Sequence, residues 1–254
     1  MTEAERIQRV IAILQELKED QIALVEDVAS LLAKQYSKIW RLPSSDFVDE
    51  CILYTLGDLI RVHHAFSKGP FTKDKLEFAL EKANNLCGVQ AELASSGNPG
   101  HDITIAGVKI SLKTEAERSI HADRLHISKF MELGKGDWSD KVEDFEGLRD
   151  QFLLHTRSYD RIFALRCLFK QINKWHYELV EIPKELFEEA RTGTFRKART
   201  RVIPISGYCD VIDNLEQVKF RLYFDGGGER KLQIKDLQKK YCTVHAIWEF
   251  SIDD

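Results

Sequence analysis

The chain has 254 residues, of which 31% are charged and 43% hydrophobic, with a formal net charge of -4. This composition excludes long disorder and a bundle of membrane spans, since no stretch approaches ~18 uninterrupted apolar residues. Residues 1–9 are polar with both signs of charge and lack the basic-then-apolar pattern of a signal peptide.

The first 96 residues read as a helical region. Ile7, Val10, Ile11, Leu14 and Leu17 recur at helical spacing, and Ile22, Val25, Val28, Ala29, Leu31 and Leu32 repeat the pattern. A break at 42–46, with Pro43 and cap candidates after it, precedes a third helix through Cys51, Leu53, Leu56, Leu59 and Ile60. Thr72 or Asp74 caps a fourth, which carries Leu76, Phe78 and Leu80. Gly97-Asn98-Pro99-Gly100 ends helical territory.

The period then changes. Polar and apolar residues alternate over 102–105 and 109–113 around the turn signal Ala106-Gly107, which predicts a short hairpin. Residues 117–158 are polar and predict one helix and a long connection. Strands are expected at 161–168, 177–182, 202–205, 218–224 and 243–252, with a helix opened by Pro183 over 184–190. The pattern predicts an α/β fold. A helical part, 1–96, packs on a mixed sheet flanked by helices, 97–254, with a strand-rich C-terminal part, the two forming one continuous domain. Cys51, Cys87, Cys167, Cys209 and Cys242 form no CxxC pair, which suits buried thiols in a reducing, intracellular compartment better than a zinc site.

The hairpin carries the chemistry. With Ala106-Gly107 as a two-residue loop, residues 105 and 108 flank it and Asp102 faces Ser111. Asp102, Thr104, Lys109, Ser111 and Lys113 then share one face, joined by Glu115 if the strand continues, and Ile103, Ile105, Ile110 and Leu112 share the core face. Directly opposed residues place their Cβ atoms roughly 4.5–5.5 Å apart, so an acid, a hydroxyl and a lysine converge on one sheet edge. A carboxylate is a ligand for Mg²⁺, which acidifies water and neutralises phosphate charge. A neighbouring lysine can hold the attacking water and stabilise developing negative charge. A second acid should be near: Glu77 and Glu81 lie four apart on one face of the fourth helix, and Glu92 and Glu115 lie closer in sequence.

Gly100-His101-Asp102, followed by Ser111-Leu112-Lys113-Thr114-Glu115, resembles the PD-(D/E)xK nuclease superfamily, type II restriction endonucleases in particular. In that family an aspartate begins one strand, the next strand carries an acid, any residue and a lysine, and a preceding helix often supplies a glutamate. The resemblance implies a restriction-endonuclease-like fold and Mg²⁺-dependent hydrolysis of DNA phosphodiester bonds. It makes Asp102 a metal ligand and Lys113 the lysine that orients and activates water. Glu77, in Leu76-Glu77-Phe78-Ala79-Leu80, matches the helix glutamate best, and Glu81 is next. Ser111 stands where the family has its first acid, and Gly100-His101 replaces the usual residues before the aspartate. Glu77, Glu81, Glu115 and the Leu112 carbonyl are the groups left to complete the metal shell. The resemblance covers 76–115 and the order of elements to about 182. It further implies sequence-specific cutting of double-stranded DNA by a homodimer in the cytoplasm of a bacterial or archaeal cell.

Independently, Arg191, Arg196, Lys197, Arg199 and Arg201 follow one another with no acid between, a run suited to phosphates and guanine edges. Gly226-Gly227-Gly228 lacks the ending of a phosphate-binding loop and reads as a hairpin turn. Two other readings fit the same residues: a nuclease for repair or recombination substrates, and a non-catalytic DNA-binding protein on the same scaffold, which Ser111 keeps open.

Overall fold

The computed structural model describes residues 2–95, 100–116, 120–134, 138–139, 141–168, 174–199 and 204–252. It opens with α1 (Glu3–Gln15) and α2 (Glu19–Ala33), then β1 (Lys38–Arg41), α3 (Glu50–Phe66) and α4 (Lys73–Leu86). Asp49 caps α3 by accepting from the Ile52 amide at 2.7 Å. Thr72 is the cap residue of α4. Next come β2 (Ala91–Leu93), β3 (Ile103–Ile105), β4 (Val108–Glu115), β5 (Arg124–Glu132) and α5 (Asp144–His155). The remainder is β6 (Arg161–Cys167), β7 (Lys174–Glu181), a 3₁₀ helix (Lys184–Thr192), β8 (Thr194–Lys197), β9 (Gly207–Ile212), β10 (Val218–Asp225), β11 (Lys231–Gln238) and β12 (Thr243–Ser251).

These form two sheets, a seven-stranded one in the order β1-β12-β7-β6-β4-β3-β2 and a five-stranded one in the order β5-β11-β10-β9-β8. The larger is mixed: β4 and β6 pair in parallel and the other neighbours are antiparallel. Both of its faces are covered. Ile110, Leu112, Phe163, Leu165 and Tyr177 pack with α3 and α4 in one core. Ile162, Ala164 and Val180, on the other face, pack with the smaller sheet and α5 in a second. The alternation of strand side chains therefore sends Ser111, Lys113 and Glu115 of β4 into the second layer, where all three are buried. The architecture is the mixed α/β one expected.

Several local expectations need correction. β1 and β2 fall within the stretch read as helical, and each forms an edge of the larger sheet. The 117–158 connection contains a nine-residue strand, β5, whose pairing with β11 shifts register at two places. Such bulges break the alternation by which strands are recognised. The basic run is not all loop: Arg196 and Lys197 belong to β8. Of the strand expected at 202–205, residues 202 and 203 lie outside the described residues, and Pro204 and Ile205 are not in a strand. Cys51 and Cys87, expected as thiols, form a disulfide between the first turn of α3 and the C-cap of α4; Cys167 and Cys209 are buried thiols. Apart from Leu31, which is buried, the apolar stripes of α1 and α2 stay largely exposed. Ile7 is 52% exposed and Ile22 42%, and α1 has no buried residue. α2 is held by Arg61 of α3, whose guanidinium donates to the Leu31 and Lys34 carbonyls. No helix among the described residues is long and apolar enough to cross a membrane.

Candidate active site

The site begins at the tight turn. Ala106 and Gly107 both have positive φ, +49° and +84°, the pattern of the two-residue turn that matches strand twist. The hairpin pairs Ile105 with Val108, Thr104 with Lys109 and Ile103 with Ile110. The Asp102 amide donates to the Ile110 carbonyl at 2.9 Å. Asp102 thus sits across from Ser111, as the alternation predicted, and no bulge intervenes.

The Asp102 carboxylate is oriented from three sides. One oxygen accepts from the Leu112 amide at 2.6 Å and from Ser111 Oγ at 3.4 Å. The other accepts from Lys73 Nζ at 2.6 Å. Ser111 Oγ in turn accepts from Lys113 Nζ at 3.0 Å. Lys113 is buried, its ammonium 4.9 Å from the centre of the Phe130 ring. Burial drives its pKa down to about 8; the charge of Lys73 adds to this, while Asp102 and Glu77 oppose it.

Glu77 and Glu81, the first and second candidates for the helix glutamate, are separated here. Glu77 Oε1 lies 3.2 Å from Lys73 Nζ, so Asp102 and Glu77 share one cation. Burial raises the Glu77 pKa, and the charges of Asp102 and Asp74 add to the rise against the pull of Lys73. Glu81 accepts from the Leu93 amide at 3.3 Å, away from this cluster. Glu115 is committed to Arg166 at 2.6 Å and to the His126 amide at 2.9 Å.

A cleft of about 520 Å³ opens in front of these groups. Lys73, Asp102 and Lys113 line one side, and Phe130, Gln151 and His155 line another. Gln151 and His155 are four residues apart and so share a face of α5. Burial lowers the His155 pKa, and the charge of Lys113 lowers it further. None of Lys73, Phe130, Gln151 or His155 was singled out from the sequence. The signals present were the i,i+4 spacing of Lys73 with Glu77 and of Gln151 with His155.

The described part of the basic run does not line the cleft. β8 and β5, the strand that brings Phe130 to the cleft, are the opposite edges of the smaller sheet. Arg191 pairs with Glu188 at 2.7 Å, and Arg196 pairs with Asp210 at 2.6 Å while stacking 4.0 Å over Tyr208. Lys197 and Arg199 are exposed, and Arg201 lies outside the described residues. The pairing continues Arg196 into an aromatic and basic stripe: Tyr208 stands 4.8 Å from Tyr223, and Lys235 Nζ lies 3.8 Å over Tyr223.

An acid, a hydroxyl and a buried lysine on one face of a hairpin, in a cleft of a mixed α/β fold, make a centre suited to phosphodiester hydrolysis. The chain belongs to the family of type II site-specific deoxyribonucleases represented by SmaI, whose model matches residues 10–250. Within the curated proteins, the type II restriction enzyme SmaI of Serratia marcescens is 43% identical over 215 residues, which are 84% of this chain and 85% of that one. No solved structure matches. The chain is a site-specific restriction endonuclease, and DNA is its substrate.

Proposed function

We propose that cleavage takes place at the Asp102–Ser111–Lys113 face as a PD-(D/E)xK-type centre working with Mg²⁺ on double-stranded DNA. The observation that carries this reading is the buried Lys113 ammonium, joined to Asp102 through the Ser111 hydroxyl and open to the cleft. Among the described residues, no three acid, histidine or cysteine side chains gather as a metal site. Mg²⁺ nevertheless takes one or two carboxylates and fills its remaining positions with water and phosphate oxygens. Asp102 and Glu77, which one ammonium already bridges, fit that demand, with the Leu112 carbonyl as a further oxygen. Bound there, the metal would lower the pKa of a water and offset the charge of the phosphate. Lys113 then holds the attacking water and takes up or balances charge as the phosphorus–oxygen bond forms. Ser111, where the superfamily has an acid, positions both partners. Lys197, Arg199 and the Arg196–Tyr208–Tyr223 stripe serve as contacts to the DNA backbone.

Plasmid and phage DNA, incubated with Mg²⁺ or with EDTA, test this reading. Discrete fragments are expected only with Mg²⁺, and Asp102→Asn should reduce their rate by at least about a hundredfold. Cutting that survives EDTA, or that Asp102→Asn leaves intact, would overturn the proposed centre. Cleavage confined to branched substrates would select the repair-type reading.

Each chain holds one Asp102–Lys113 pair, so cutting both strands at one site calls for two copies related by a two-fold axis. The uncovered Ile7, Val10 and Ile11 of α1 and Ile22 and Val25 of α2 are the surface we assign to the second copy. Sedimentation should give a dimer for the native chain and a monomer for Ile7→Glu/Ile11→Glu, with unchanged circular dichroism. A dimer that persists in the variant would place the interface elsewhere.

A further inference from the structure

Lys73 occupies an electrostatically unfavourable position on its helix. It is the first residue of α4, where the helix dipole presents partial positive charge and carboxylates rather than ammonium groups are stabilised. Its partners explain the placement. Nζ lies 2.6 Å from Asp102 Oδ1 and 3.2 Å from Glu77 Oε1, and its side chain, 39% exposed, reaches into the same cleft as Lys113. The two carboxylates come from different elements, α4 and the start of the hairpin, and without a cation between them they would repel.

We propose that Lys73 is an exchangeable counter-ion: its ammonium balances Asp102 and Glu77 when no metal is bound, and a divalent cation entering the cleft displaces it. This rests on the assignment of Asp102 and Glu77 as metal ligands. The exchange follows from size and charge. A metal bound to both carboxylates needs the space that Nζ holds, and two positive groups cannot remain in contact there without penalty. The displaced side chain is long, flexible and at the mouth of the cleft, so its charge becomes available to a phosphate of the bound DNA. Lys73 is thus a positioning residue. It keeps the acid pair closed before metal binds and sets how tightly metal is held.

The test uses Mn²⁺, an oxygen-preferring stand-in for Mg²⁺, added to the full chain without DNA. Free Mn²⁺ is counted by electron paramagnetic resonance, and Mg²⁺ binding is followed by calorimetry. Lys73→Met keeps the length and removes the charge. It should bind either metal more tightly than the native chain, on the order of tenfold or more for removal of one neighbouring like charge. Its metal-free melting temperature should fall, and excess Mg²⁺ should restore it. Equal or weaker metal binding by Lys73→Met, with native-like melting, would overturn the counter-ion role. Asp102→Asn separates the two readings. If it binds metal as well as the native chain does, the ligand assignment fails and the exchange fails with it. If Asp102→Asn abolishes binding while Lys73→Met leaves it unchanged, only the exchange fails.

Discussion

Lys113→Met is expected to slow cleavage by at least about a hundredfold while leaving duplex binding and the urea midpoint intact or slightly raised. The two halves of this prediction have different physical origins. The loss of rate follows from removing the group proposed to hold the water and meet developing charge; single groups of this kind are worth about 10²–10³ in kcat. Retained stability follows from the cost of the native residue. Its ammonium is buried against the Phe130 ring, bonds to a serine hydroxyl rather than directly to a carboxylate, and has its pKa driven down to about 8 by burial. A methionine of similar length keeps the packing and removes that desolvation cost, a common trade of activity against stability. Single-turnover cleavage, filter binding in Ca²⁺ and urea unfolding measure the three quantities. A variant that loses its fold along with its rate would mark Lys113 as a structural lysine.

Arg166→Met is expected to have the largest effect on stability, about 3–5 kcal/mol, the usual result of breaking a buried charge pair from one side. Arg166 is fully buried on β6. Nε donates to Glu115 at 2.6 Å, and one terminal nitrogen donates to Glu178 at 3.1 Å. The other terminal nitrogen donates to the His121 and Arg124 carbonyls at 2.6 and 2.7 Å. Lys239 and His176 complete the shell around Glu178. The network ties β4, β6 and β7 of the larger sheet to the entry of β5 in the smaller one, and β5 carries Phe130 into the cleft. Cleavage should therefore weaken along with stability. Burial tends to raise the Glu178 pKa, but hydrogen bonds from His176 and Lys239 and the charges of Lys239 and Arg166 outweigh it and bring it to about 2. A carboxylate held below its unfolded value near 4.5 stabilises the fold fully above that pH and loses its contribution as pH falls toward 2. The gap between native and Arg166→Met urea midpoints should accordingly narrow from pH 5 to pH 2. Arg166→Met combined with Glu115→Gln and Glu178→Gln should recover part of the loss, because no buried charge is then left alone. A loss below about 1 kcal/mol for the single variant would contradict this account.

The hairpin was legible in the sequence because its information is local. Period-two alternation and a two-residue turn determine a register, and the register alone puts Asp102 opposite Ser111 and Lys113 two residues further along the same face. The first four helices were legible for the same reason, as were β10 and β12. β5 was not, because its bulged pairing with β11 disrupts the alternation. β1 and β2 were not, because strands of four and three residues carry too little pattern to outweigh the helices around them.

Residue types and their spacing along the chain by themselves determined the α/β class, the hairpin and its polar face, and two candidate glutamates on one face of a helix, Glu77 ahead of Glu81. Only the tertiary structure separated those two, by bringing Asp102 onto the same ammonium as Glu77 while Glu81 bonds to β2. It also directed Glu115 to Arg166, left the apolar stripes of α1 and α2 uncovered except at Leu31, and buried Lys113 under a second layer contributed by a strand the pattern did not reveal. The physical reason is common to all of these. Spacing along a strand or helix specifies which side chains share a face, but burial, ion pairing and the pKa of a lysine depend on what packs against that face from distant parts of the chain.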